Sequence, residues 1–140
     1  MTLFYGFPNV ENKLDSWKLL RSMKPLELAP WIYLGDFNQI LTQEEKWGKC
    51  QSNLQHMMEF NRVLTNLDLY YLGCVGHRFT WSNIRQGDKN IQKRLDRAMA
   101  NTLRRASWVD SVVSTLPRHK LDHNLILVEC YDFSSGLNIR

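Results

Sequence analysis

The stretch Trp31-Ile32-Tyr33-Leu34-Gly35-Asp36-Phe37-Asn38 constrains this chain more than any other. It runs apolar, apolar, aromatic, apolar, glycine, as a buried strand does, and then stops on a bare carboxylate with an amide two positions later. Asp and Asn both favour turns, because each hydrogen-bonds its own backbone. Open α/β sheets, however, also place their chemistry just beyond the carboxyl ends of their strands. A chain of 140 residues is long enough to bury such a strand in one domain with a real hydrophobic core, and gives no reason for two.

The rest of the pattern supplies partners for that strand. Leu14, Trp17, Leu20 and Met23 recur every third residue and predict a short amphipathic helix over 12–23. Pro25 and Pro30 punctuate the loop that follows. A second helix is expected over 52–66, with Met57, Phe60, Val63, Leu64 and Leu67 on its inner face. Residues 78–82 alternate like a strand, 85–88 form a turn and 90–96 return, which predicts a hairpin. A helix over 97–106 and two strands, 109–116 and 125–128, complete the reading, with an irregular tail after Tyr131. No repeat, low-complexity tract or linker divides the chain, so a domain over 1–131 and a tail over 132–140 are expected. Helices and strands mix without strict βαβ alternation, which favours a layered α/β sandwich over a doubly wound sheet.

Several function classes drop out on composition. No apolar run approaches membrane-spanning length, and the Met1-Thr2-Leu3-Phe4 start is unlike a signal peptide. Three cysteines, at 50, 74 and 130, point to reduced thiols without disulfides and to an intracellular setting, nucleus or cytoplasm. Cys74-Val75-Gly76-His77 has metal-like spacing, but no second Cys/His pair matches it, so core or surface roles are expected. The net charge of +4 is compatible with a polyanionic partner. Lys89, Lys93, Arg94, Arg97, Arg104 and Arg105 crowd one stretch just after Trp81, which reads either as a solvated basic face or as a phosphate-facing surface.

Polar residues gather at predicted strand ends. Asp122-His123 precedes the 125–128 strand, and Asp96 ends the return strand of the hairpin. A carboxylate bonded to one imidazole nitrogen fixes the tautomer of the other. Asp36, Asn38, Asp96, Asp122 and His123 together would supply hard oxygen ligands for a Mg²⁺-type ion, a water-orienting group and a proton-bearing imidazole.

Four motifs stand in a recognisable order: Trp-Ile-Tyr-Leu-Gly-Asp-Phe-Asn at 31–38, Phe-Thr-Trp-Ser-Asn at 79–83, Arg-Leu-Asp-Arg at 94–97, and Asp-His at 122–123 before a strand. Together they resemble the endonuclease/exonuclease/phosphatase superfamily, and most of all the endonuclease domain of non-LTR (LINE-type) retrotransposon polyproteins. Phe4-Tyr5-Gly6-Phe7-Pro8, Ser16-Trp17 and Glu45-Lys46 fit the same group, and the resemblance spans Leu3 to about Glu129. It implies the C-terminal portion of a four-layer, deoxyribonuclease-I-like α/β sandwich, with mixed, mostly antiparallel sheets flanked by helices. It further implies a Mg²⁺- or Mn²⁺-dependent DNA endonuclease. Asp36 would orient or deprotonate the attacking water, and Asn38 would help hold water and phosphate. His123 would stabilise or protonate the phosphate oxygens, with Asp96 steering its ring. Asp122 would serve the metal, Tyr5 would contact the phosphate, and Lys93, Arg94 and Arg97 would bind nucleic acid.

Departures from the family pattern qualify the activity. The family carries an early Asn and a metal-binding Glu in an N-terminal half, and this sequence starts after both. Leu121 stands where Ser is usual, Lys93 replaces an acidic residue, and Trp47-Gly48-Lys49 replaces a double glycine. The resemblance therefore implies weak or absent cleavage. The competing expectation is a non-catalytic remnant that binds nucleic acid or protein through the basic stretch.

Overall fold

The computed structural model describes residues 1–49, 51–107, 111–117 and 122–130. In chain order its elements are β1 (Thr2–Tyr5), α1 (Lys13–Ser22), β2 (Ile32–Asp36), β3 (Lys46–Trp47), α2 (Leu54–Asn66), β4 (Tyr70–Tyr71) and β5 (Val75–Gly76). They continue with β6 (Trp81–Ser82), β7 (Gln92–Lys93), β8 (Asp96–Ala100), α3 (Thr102–Ser107), β9 (Val112–Leu116) and β10 (Leu125–Glu129). The strands form three sheets, ordered β1-β2-β8-β4, β10-β9-β5 and β3-β7-β6. Pairs β1–β2 and β5–β9 are parallel and the others antiparallel, giving the mixed, mostly antiparallel α/β architecture expected. The tail after Tyr131, with the domain limit at 131/132, lies outside the described residues, as do Cys50, residues 108–110 and Arg118–Leu121.

The main core forms where α1 and α2 cover the four-stranded sheet. Trp17 and Leu20 from α1 meet Phe60, Val63 and Leu64 from α2 over Phe4, Tyr33, Phe37 and Met99. Trp17 and Phe60 stack with ring centroids 4.7 Å apart, and α2 starts on an Asn53 cap that accepts from the His56 amide. The helix periods hold, but the phase of α1 differs from expectation. Its buried face is Lys13, Ser16, Trp17 and Leu20, an i, i+3, i+4, i+7 stripe, while Leu14 is 62% exposed. Met58 likewise points outward beside buried Met57. No helix among the described residues is long and apolar enough to cross a membrane, and Cys74 and Cys130 carry free thiols.

β1 was not foreseen, and it runs parallel along β2 at the sheet edge, with Phe4 opposite Gly35. Gly35 has φ +145°, and a Cβ there would stand 1.9 Å from the Phe4 carbonyl oxygen. Gly35→Ala is therefore expected to cost at least about 3 kcal/mol, read as a lower urea midpoint, because neither backbone can retreat without breaking the pair. The edges of β1 and β10 flank a groove of about 480 Å³ walled by Leu3, Leu34, Leu125 and Ile126, with Asp96 and His123 also lining it.

The helix expected over 97–106 is corrected. Asp96–Ala100 is a strand, β8, central in its sheet between β2 and β4, and the helix starts only at Thr102. Asn101 sets that boundary: its Oδ1 accepts from the Arg104 amide as a cap and also from the Trp31 amide, while its Nδ2 donates to the Ala29 carbonyl. Helix-forming residues yield here to sheet pairing on both sides.

The basic stretch divides: Lys89 and Arg105 are exposed and Lys93 is half-buried. Arg94, Arg97 and Arg104 are buried, Arg97 completely. Arg97 spans Glu45 with Nη1 to Oε2 at 2.8 Å and Nη2 to Oε1 at 3.1 Å, and Nη2 also meets the Gln39 and Arg94 carbonyls. Arg94 donates to the His77 carbonyl. Both guanidiniums face inward and are engaged with the protein's own acceptors. Convergent carbonyls and a carboxylate hold the two Nη groups of Arg97, while its buried Nε has no partner among the described residues.

Candidate active site

Register brings the first two carboxylates together. In the antiparallel pair β2–β8, Asp36 stands opposite Asp96, and in the parallel pair β1–β2, Tyr5 stands beside Asp36. Three residues far apart in sequence thus form a row across adjacent strands. Beyond the strand, Asn38 takes a left-handed conformation at φ 50°, which Asn tolerates. Its amide donates to Asp36 Oδ1 at 2.8 Å, and its Nδ2 donates to the Gly6 carbonyl at 2.6 Å.

His123 arrives from the other side, on the segment that pairs with β6. The Ser82 amide donates to the Asp122 carbonyl, the Asn124 amide to the Thr80 carbonyl, and Trp81 and His123 form the bridge between them. The imidazole ends between two carboxylates: Nδ1 lies 2.8 Å from Asp96 Oδ2, and Nε2 lies 3.8 Å from Asp36 Oδ2. Asp96 therefore fixes the ring and leaves Nε2 to face Asp36 and the cleft.

The electrostatics follow from this packing. Burial pushes the Asp36 carboxyl up, and the Asp96 charge adds to it, while the Asn38 amide, His123 and Lys13 pull it partly back. For His123, burial works against the charged ring. The Asp96 hydrogen bond and charge, with Asp36 and Asp122, outweigh it, and the pKa rises above its ordinary 6.5. The cluster thus holds a readily protonated imidazole beside a carboxyl of raised basicity, the pairing that proton-transfer chemistry uses.

These groups line a cleft of about 520 Å³ together with Asn38, Tyr5, Trp81 and the exposed Asp122. Lys13, Lys46 and Lys93 line it too, and the Lys93 ammonium stands 5.9 Å from the Trp81 ring centroid. The expected residues Tyr5, Asp36, Asn38, Lys93, Asp122 and His123 therefore share one cavity, with Asp96 joined to it through His123; Arg94 and Arg97 do not reach it. Among the described residues, the ligand-type atoms that gather within 4.8 Å of one another belong to Asp36, Asp96 and His123. Asp122, expected as the metal ligand, is not among them.

Three contributors went unread in the sequence. Thr80 is buried, and its Oγ1 accepts from both the Leu95 and Asp96 amides, at 2.9 and 3.0 Å, while its carbonyl holds Asn124. One residue thus sets the distance between Asp96 and His123. Asn124 adds Nδ2 to the Phe79 carbonyl. The signal for Thr80 was its place in the Phe-Thr-Trp-Ser-Asn alternation, where a polar residue faces inward. Thr80→Val keeps the shape but strands two amides, and is expected to destabilise the fold by about 1–3 kcal/mol and loosen His123, seen as a broadened ring signal by NMR. The third, Lys13, is hidden by the phase of α1.

No protein-family model and no curated protein matches this sequence. Among solved structures, it is similar to the endonuclease domain of TRAS1, a telomere-specific non-LTR retrotransposon, with a TM-score of 0.57 and 24% identity. The match covers 90% of this chain and 53% of that one, so the chain spans about half the length of the domain it resembles. The mixed, mostly antiparallel α/β fold around the Asp36–His123–Asp96 cluster is thereby similar to part of the fold solved for that domain.

Proposed function

We propose that this chain is the working part of a divalent-metal-dependent phosphodiesterase that nicks DNA slowly. The observation that carries this is an imidazole held between two carboxylates at the wall of a cleft that three lysines also line. Hydrolysis needs a positioned water and positive charge where negative charge builds on the phosphate. Asp36 accepts the proton of the water as its oxygen bonds to phosphorus, and its raised basicity suits that task. His123, oriented by Asp96, donates from Nε2 to the leaving ester oxygen as its bond to phosphorus breaks. Asn38, held in place through Gly6, orients water and phosphate, and Tyr5 borders the same space.

The donor set fits a hard cation only in part. Asp36 offers oxygen, but Asp96 is spent on His123 and Asp122 stands exposed outside the cluster. A Mg²⁺ or Mn²⁺ ion at the rim beside Asp122 would supply charge neutralisation at the phosphate, leaving Asp36 to accept the proton. So few protein oxygens make for weak binding and slow turnover. The competing reading, a non-catalytic module binding through its basic stretch, has a smaller surface to work with, because Arg94, Arg97 and Arg104 are buried while Lys89, Lys93 and Arg105 remain accessible.

Nicking of supercoiled plasmid with Mg²⁺ or Mn²⁺ tests this. Slow nicking that vanishes in Asp36→Ala and His123→Ala is expected. Nicking unchanged by those variants overturns the reading, and duplex binding without any nicking favours the binding module.

A further inference from the structure

Lys13 occupies a position where a lysine is costly. It opens α1 on the buried face, 7% exposed, one turn before Trp17 and Ser16. A cation at a helix N-terminus opposes the helix dipole. Its side chain is largely buried, and Lys93 stands near enough to repel it; burial first and then Lys93 bring its pKa down to about 8 against the partial help of Asp36. Among the described residues no carboxylate forms an ion pair with it; the Nζ donates instead to the backbone carbonyl of Asn38. An uncharged residue would fill this position more cheaply, as Ser16, Trp17 and Leu20 do in the rest of the stripe. Side chains kept against stability mark functional sites.

The ammonium also lines the same cleft as Asp36, Asn38 and His123. We propose that Lys13 is a phosphate-contacting residue: its ammonium meets a nonbridging oxygen of the phosphodiester seated between Asp36 and His123. Its bond to the Asn38 carbonyl holds it at the floor of the cleft, so the charge is in place before substrate arrives. The motif-bearing residues supply a base, an acid and an orienting amide; Lys13 supplies the fixed positive charge. This assignment rests on the phosphodiesterase reading and names a substrate contact that reading lacks.

The test compares the whole chain with Lys13→Met and Lys13→Arg by thermal melting and by anisotropy with a labelled DNA duplex at several salt concentrations. Lys13→Met is expected to melt at or above the wild-type temperature, yet bind duplex about 10-fold more weakly, the worth of one charge-assisted contact. Its salt slope should be shallower by about one, and Lys13→Arg should recover part of both. Equal affinity and slope in Lys13→Met, or a melting point several degrees lower, would overturn the assignment in favour of a structural lysine. A wild-type chain without affinity for duplex overturns the nuclease reading instead. The variants are then melted with inorganic phosphate: protection of wild type but not Lys13→Met supports the phosphate contact, and equal or no protection overturns it.

Discussion

Glu45→Ala is expected to destabilise the protein by about 3–5 kcal/mol, enough to unfold much of a domain of ordinary stability. The Arg97 guanidinium is wholly buried, and among the described residues Glu45 is its one carboxylate partner in an ion pair, at 2.8 Å. Removing the carboxylate leaves a charge inside the protein with only the Gln39 and Arg94 carbonyls to hold it. Glu45 also accepts from the Leu41 amide, so the 39–45 loop, which brings Gln39 and Ile40 to the cleft, loosens with it. Replacing both partners, Arg97→Met with Glu45→Met, should recover most of the loss, because an apolar pair of similar volume carries no desolvation cost. Urea melts at constant slope read both effects. A Glu45→Ala midpoint close to wild type would mean that water already reaches Arg97.

That pair also shows where reading the sequence stops. Arg94 and Arg97 belong to a recognisable Arg-Leu-Asp-Arg motif, yet in a sequence charge reads as exposure. Their burial depends on Glu45 and on three backbone carbonyls that only the fold brings near. The α3 boundary was lost for a related reason: Ala98, Met99 and Ala100 favour helix, and the pairing of β8 with β2 and β4 overrides them. β1 is too short and too near the chain start for its alternation to stand out. Lys13 was missed through phase, since reading Leu14 as inward turned its neighbour outward. By contrast, Asp36, Asp96 and His123 were legible because Asp36 ends β2, Asp96 begins β8 and His123 lies just before β10. Strand ends are where antiparallel register can place distant residues side by side, as it does for Asp36 and Asp96.

Asp96→Asn is expected to lower any nicking at neutral pH by about 100-fold, at the low end for loss of general acid–base assistance. The ring of His123 would still find a partner, but a neutral one, so the charged imidazole loses the hydrogen bond and charge that now hold its pKa above 6.5. An acid works while protonated, so activity falls as pH rises through the His123 value, and in the variant that fall moves to lower pH. The opposite limb belongs to Asp36, which must be ionised to accept a proton and whose carboxyl is raised by burial and by Asp96. Removing the Asp96 charge should move that limb to lower pH as well, shifting the whole bell. Stability follows the same sign. Because the His123 value is raised in the folded protein, its contribution is complete below 6.5 and is lost as pH climbs through the raised value. Asp96→Asn should flatten that loss in thermal melts. The decisive measurement needs no turnover: an NMR titration of the four histidine rings in wild type and variant. A His123 midpoint unmoved by Asp96→Asn would mean that the carboxylate positions the ring without tuning it, and the drop in rate would then need another cause.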